Sequence, residues 1–196
     1  MTFVDVHLDL DEASRTDQAS QAAAAALVLG GVDVIVGGDF NDPTGGPALG
    51  ATLLQGFEDA TATLPADGID HVVVHRGASW GAADARRVLT SPPVSDHPGV
   101  LVRLTPRTPP TVTLTRLVAR IDVGFGRQLS FRGDAVPLDW YRGLWAWPSA
   151  ADRWEVVLTE PSAPFSFKAL RDDTDWEQGP DHAATPGDTV EFQPTF

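Results

Sequence analysis

A chain of 196 residues with a 42% hydrophobic composition has room for one large or two small domains, each with a core of its own. It contains no cysteine, which excludes disulfides, thiolate metal sites and a cysteine nucleophile and leaves the compartment open. The formal net charge is −13, with 14 acids against 5 Arg in residues 1–104 and 13 acids against 8 Arg and 1 Lys in residues 105–196, which excludes the basic track of a stable nucleic-acid complex.

Phe3 to Leu8 alternates apolar and polar side chains and predicts a strand. Ser14 or Thr16 is placed to cap a helix that runs through the Ala22–Leu29 tract and stops at Gly30 and Gly31. Val32–Gly37 is a near-continuous β-branched run, as in a strand covered on both faces. After the turn residues 42–47, a short helix is expected over Ala48–Leu54, then strands over Ile69–Val74 and Val100–Leu104, giving an α/β layer with its polar motifs at one edge. Prolines 106, 109 and 110 then stiffen residues 105–111 into an extended linker. Beyond it, segments 112–122, 128–132, 154–159, 164–170 and 189–193 have strand composition between Gly, Pro and Asp, which predicts a small β-sandwich. The expected class is therefore α+β, with a first domain over 1–104 and a second over 112–196. No apolar run is long enough to span a membrane and no basic-then-apolar leader follows Met1. A soluble chain is expected, secreted if an upstream signal-bearing segment exists.

The segment Val34-Ile-Val-Gly-Gly-Asp-Phe-Asn-Asp42 drives a buried strand into a carboxylate, an amide and a second carboxylate. By itself, Gly38-Asp-Phe-Asn41 is equally an Asx-type turn in which the side chains bond nearby backbone. With Val4-Asp-Val-His-Leu-Asp9, Gly68-Ile-Asp-His71 and Ser95-Asp-His97, however, it forms an ordered set of strand-end polar groups. Hydrolysis of a phosphate ester needs such a set: a hard cation, a carboxylate to hold it or activate water, and donors for the non-bridging oxygens. Residues 3–104 resemble the C-terminal half of the endonuclease/exonuclease/phosphatase family of metal-dependent phosphoesterases.

That resemblance implies a nuclease- or phosphatase-type hydrolase using Mg²⁺ or Mn²⁺ on a nucleic-acid or small phosphoester. In it Asp39 orients or deprotonates the attacking water and shares in metal binding, Asn41 stabilises the oxyanion, and Asp96 contributes to the metal site. His97 contacts the phosphate or takes a proton and is oriented by Asp70, while His7 donates to the phosphate or the leaving group. Arg15 and Gln18 match an Arg-x-x-Gln pattern with either a structural or a functional role, and His71 and His75 are strand-face residues without one. The family's preceding half-domain, with the Glu that is its principal metal ligand, has no counterpart here. The expectation is a weakly held cation, little activity from residues 1–196 alone, one uncovered sheet face, and either a fragment of a larger product or a remnant.

Five of the six Trp lie in the second part. Leu129-Ser-Phe-Arg-Gly133, Pro137-Leu-Asp-Trp140, Pro164-Phe-Ser-Phe-Lys-Ala169 and Trp176-Glu-Gln-Gly-Pro-Asp181 resemble the starch-binding (family 20) carbohydrate-binding modules. The resemblance implies an α-glucan or related polysaccharide as partner, with Trp140 and Trp176 stacking on sugar rings, Lys168 meeting hydroxyls, and Asp181 where an Asn is usual. The family's Leu-Gly before its first tryptophan is replaced here by Leu138-Asp139. The alternative for Trp140 and Trp176 is core packing, which is the expected role of Trp145, Trp147 and Trp154. A non-catalytic carbohydrate-binding protein is the alternative reading of the whole chain.

Overall fold

In the computed structural model, which describes residues 1–92 and 95–196, the alternating N-terminal segment is strand β1 (Thr2–His7). Helix α1 (Glu12–Gly30) follows, and its cap is Asp11, whose carboxylate accepts from the Ser14 N–H at 2.9 Å. The cap is thus upstream of the expected Ser14 or Thr16, because an N-cap carboxylate bonds the amide three residues on and Ser14 supplies that amide. At the other end Gly31, at φ 63°, donates its N–H to the Leu27 carbonyl. The alanine tract makes the buried stripe, with Ala23, Ala24, Ala26 and Leu27 packed inside.

Strand β2 (Val34–Asp39) runs parallel to β1, and the short helix α2 (Pro47–Leu53) packs against α1. Strands β3 (Phe57–Asp59) and β4 (Asp70–His75) complete a four-stranded sheet in the order β1-β2-β4-β3. Its register sets Asp39 beside His7 on one side and Asp70 on the other. By the period of two, these three share a face with Phe3, Ile35, Val72 and Val74. That face is partly covered: Ile35 and Val74 pack with Ala78 and Leu104, while Phe3 on β1 stays 58% exposed.

The covering piece is an antiparallel hairpin of β5 (Trp80–Val88) and β6 (Gly99–Pro106). Sequence reading did not anticipate β5, whose Ala82–Asp84 register shift breaks the alternation that marks a strand. Strand β6 runs past the expected Leu104. Arg107 then donates to the carbonyls of His75, Arg76 and Ala78, and the first unit extends to Thr111 and takes in the whole of the expected 105–111 linker.

The second unit, Val112–Phe196, is entirely β among its regular elements. It contains β7 (Thr115–Arg120), β8 (Leu129–Gly133), β9 (Leu144–Trp145), β10 (Trp147–Ala150) and β11 (Arg153–Leu158). Then come β12 (Phe165–Arg171), β13 (Asp175–Trp176), β14 (His182–Ala184) and β15 (Thr189–Phe192). One sheet has the order β10-β11-β7-β15, and the other β13-β12-β8-β9 with β14 on β12. Phe192 of the first sheet meets Phe131 and Phe167 of the second at ring separations of 6.1 and 5.7 Å, so the sheets pack face to face around an aromatic centre. Trp154 is buried and donates its indole N–H to the Ile121 carbonyl, whereas Trp145 and Trp147 are half-buried. The chain is therefore α+β, mostly sheet with two helices and no closed sheet among the described residues, and no helix is long and apolar enough to cross a membrane.

Candidate functional site

Strand β2 delivers Asp39 through a position that only glycine tolerates. Gly38 sits at φ 141°, and a Cβ there would lie 2.0 Å from the Val6 carbonyl oxygen. Past it, Asn41 takes the left-handed conformation at φ 50° and donates its N–H to Asp39 Oδ1 at 2.8 Å. The Asx-type turn is therefore real, but it uses one carboxylate oxygen only. The other, Oδ2, faces His97 Nε2 at 3.5 Å and His7 Nε2 at 3.8 Å. The Asn41 amide donates to the Leu8 carbonyl at 2.6 Å, tying the loop after β1 to the loop after β2.

His97 is brought in by the segment that leads into β6. Its Nδ1 lies 2.9 Å from Asp70 Oδ2, and a carboxylate accepts there, so Nδ1 carries the proton and Nε2 turns to Asp39. Burial lowers the His97 pKa, but Asp70, then Asp39 and Asp96, outweigh it and raise the value above that of a free imidazole. Asp96 is exposed, with Oδ1 3.7 Å from His97 Nε2 and bonded by the Ser95 hydroxyl. Asp39, Asp70 and His97 each place one donor atom within 4.8 Å of the others, and Asp96 stands outside that group. Asp70, expected to orient His97, is thus also one of the three clustered groups. Two carboxylates and an imidazole make a donor set that could hold a divalent cation.

Asp39, Asp96 and His97 line an open cleft of about 650 Å³ with His7, Asn41 and Gln18 on its walls, and the His7 ring is 80% exposed, while Asp70 faces an adjoining pocket of about 260 Å³ that His97 and Asp96 also line. Gln18 accepts from the Asp9 N–H at 2.8 Å, and Arg15 donates to the Leu10 carbonyl and to Asp42, so both fasten the loop after β1. The second carboxylate of the motif, Asp42, is fully buried and accepts from the Ala48 and Leu49 amides at the start of α2. His71 is buried too, between the Asp42 carbonyl at 2.9 Å, the Thr61 hydroxyl at 3.1 Å and Asp59 at 3.6 Å. Burial lowers its pKa, and Asp59 with the Asp42 carbonyl more than offsets this and raises it. Nothing local in the sequence marks that network, which forms only when β3, β4 and the β2 loop meet.

In the second unit, Trp140 and Trp176 come together with ring centroids 6.3 Å apart and planes at 24°. Trp140 is half-buried and Trp176 is 41% exposed, so the pair lies at the surface and is not core. Trp140 rides on a turn in which Asp139 accepts from the Tyr141 and Arg142 amides, both at 2.6 Å. Lys168 donates to the carbonyls of Glu177 and Gly179 at 3.0 and 2.7 Å, which shapes the loop leading to the exposed Asp181. Sequence reasoning missed Arg132 and Asp173. The guanidinium donates from Nε and one NH₂ to Asp173 Oδ1 and Oδ2 at 3.0 and 2.7 Å, and from the other NH₂ to the Trp140 carbonyl at 3.2 Å.

No protein-family profile and no curated protein matches the chain. Among solved structures it is similar to a glycoside hydrolase family 15 glucoamylase from Hypocrea jecorina, with a TM-score of 0.37 and 18% identity. That match covers 45% of this chain and 18% of the glucoamylase, and at so low a score it carries no argument about fold or activity.

Proposed function

We propose that residues 1–111 form a metal-dependent phosphoesterase site of the nuclease or phosphatase type, on half of the phosphoesterase sandwich, and that residues 112–196 form a glycan-binding module. The observation that carries the first part is the convergence of Asp70, His97 and Asp39 from three separate segments, with His97 Nδ1 on Asp70 and Nε2 turned to Asp39.

A bound Mg²⁺ or Mn²⁺ supplies charge neutralisation at the phosphoryl group. Asp39 Oδ2, the oxygen left over from the Asx turn, is the one available to orient or deprotonate a water. His97 holds or gives up a proton at Nε2 while Asp70 fixes its tautomer, the same division of labour as in other His–carboxylate pairs. Asn41 has one amide hydrogen left after bonding Leu8, which can meet a non-bridging oxygen. The exposed His7 ring is free to protonate a leaving group. With only carboxylates to ligate it, the cation would be held weakly, and turnover by these residues alone is slow.

The test is hydrolysis of p-nitrophenyl phosphate and bis-p-nitrophenyl phosphate with added Mg²⁺ or Mn²⁺, with and without chelator. Slow, chelator-sensitive turnover lost in Asp39→Asn and His97→Ala supports the site. Turnover indifferent to both substitutions, or none at any metal concentration, removes it. A specific observation favours the second reading, a non-catalytic α-glucan-binding protein: the surface-exposed, near-parallel Trp140–Trp176 pair. Binding of maltoheptaose by a chain without hydrolytic activity decides for it.

A further inference from the structure

Stacking on a sugar requires that two indoles be held in a fixed relation before the ligand arrives, since ordering them on binding would cost affinity. Trp140 lies on the turn after β8 and Trp176 on β13, two segments joined only indirectly through β8 and β12, and the backbone leaves the indoles themselves to be set by side chains. Arg132 reaches both. Arg132 donates to the Trp140 carbonyl at 3.2 Å, and its guanidinium carbon stands 5.4 Å from the Trp176 ring centre.

Arg132 is itself fixed. It forms the two-point pair with Asp173 and donates also to the Asp173 carbonyl at 2.9 Å. Asp173, at φ 56° in the turn between β12 and β13, further accepts from the Ser130 hydroxyl at 2.8 Å. A Cβ on Gly143 would meet Asp173 Oδ1 at 2.1 Å, so the end of the Trp140 loop closes directly onto this carboxylate. The pair thus joins β8, the Trp140 loop and the β12–β13 turn at one point beneath the indoles.

We propose that Arg132, clamped by Asp173, is the positioning residue that sets Trp140 and Trp176 as one preformed sugar-binding surface. This rests on the glycan-binding reading of residues 112–196. The planar fork is essential to it, because a lysine carries the charge but its three donors sit on one nitrogen and cannot span the two Asp173 carboxylate oxygens and the two carbonyls of Asp173 and Trp140 at once.

Two indoles this close couple their ultraviolet transitions and give a band pair of opposite sign in circular dichroism, which Trp176→Ala abolishes and so identifies. The experiment measures that signal and maltoheptaose affinity in the full chain for wild type, Arg132→Ala and Arg132→Lys. The lysine variant keeps the charge and much of the stem and serves where alanine fails to fold. Expected is loss of the coupled bands and a roughly tenfold weaker affinity in both variants, with the melting of the second unit retained in the lysine variant. Intact bands in Arg132→Lys overturn the proposal, as does weaker binding with intact bands, which would make Arg132 a direct sugar contact. Bands that depend on Arg132 in a wild-type chain that binds no glucan keep the clamp and remove the glycan-binding reading.

Discussion

In residues 1–111 the clustered groups are carboxylates and an imidazole, and each is aimed by its own segment: Asp39 by the Gly38 approach and the Asx turn, Asp70 by its place opposite Asp39, and His97 by its bond to Asp70. In residues 112–196 the exposed groups are apolar, and they are held from beneath by Arg132 and Asp173. The difference lies in directionality. A carboxylate or imidazole finds its orientation through short directional bonds at a strand end, whereas an indole surface makes few such bonds and depends on a fastened support.

The largest expected effect separates the units by chemistry. Asp39→Ala lowers phosphoesterase turnover by about 10²–10⁴-fold and leaves maltoheptaose binding unchanged. Parallel assays of both activities on one preparation check this, and a joint loss would mean that the substitution acts through folding.

Gly38→Ala comes next. A Cβ would stand 2.0 Å from the Val6 carbonyl, at a φ that other residues rarely adopt. A loss of about 3 kcal/mol or more is expected for the first unit, with the transition of the second unit unmoved in calorimetry. A single transition shifted as a whole would show that the two units do not melt separately.

Acid and base separate them again. Glu155 is held down to about 2 by Arg153 first, against burial, and then by Ser149 and Arg116. A depressed carboxylate stabilises fully above its ordinary value of 4.5 and loses that contribution as pH falls toward 2. On the order of 2 kcal/mol is at stake in the second unit once screening of the partly exposed arginines is allowed for. His71 in the first unit runs the other way: its value is raised, so its contribution is complete below its ordinary 6.5 and lost as pH rises through the folded value. Melting curves at stepwise pH are expected to show the second unit weakening from pH 4.5 downward. His71→Gln should flatten the first unit's decline above pH 6.5, and an unchanged decline would remove this account.

The smallest expected effect is Trp176→Ala. An exposed stacking indole contributes about 1 kcal/mol, a five- to tenfold change in glucan affinity, and its loss leaves the fold intact because Trp176 is 41% exposed. Fluorescence titration together with a melting curve checks both halves of this, and an unfolded variant would place Trp176 in the core.

The sequence by itself determined the elements whose signals are local. The alternation of β1, the alanine tract of α1, the β-branched run of β2 and the strand spacing of the second unit all depend on near neighbours, and all became elements close to the expected bounds. The strand-end placement of His7, Asp39 and Asp70 was legible for the same reason, since polar groups that interrupt or end apolar strands mark a sheet edge. Tertiary structure alone decided what depends on partners far away in the chain. It made a strand of β5 against β6, put Asp42 under α2, and closed Asp59 and Thr61 around His71. It set Asp70, not Asp96, among the clustered donors and joined Arg132 to Asp173 across 41 residues. A carboxylate or guanidinium looks the same in sequence whether it faces water or a buried partner, and only the packed chain distinguishes them.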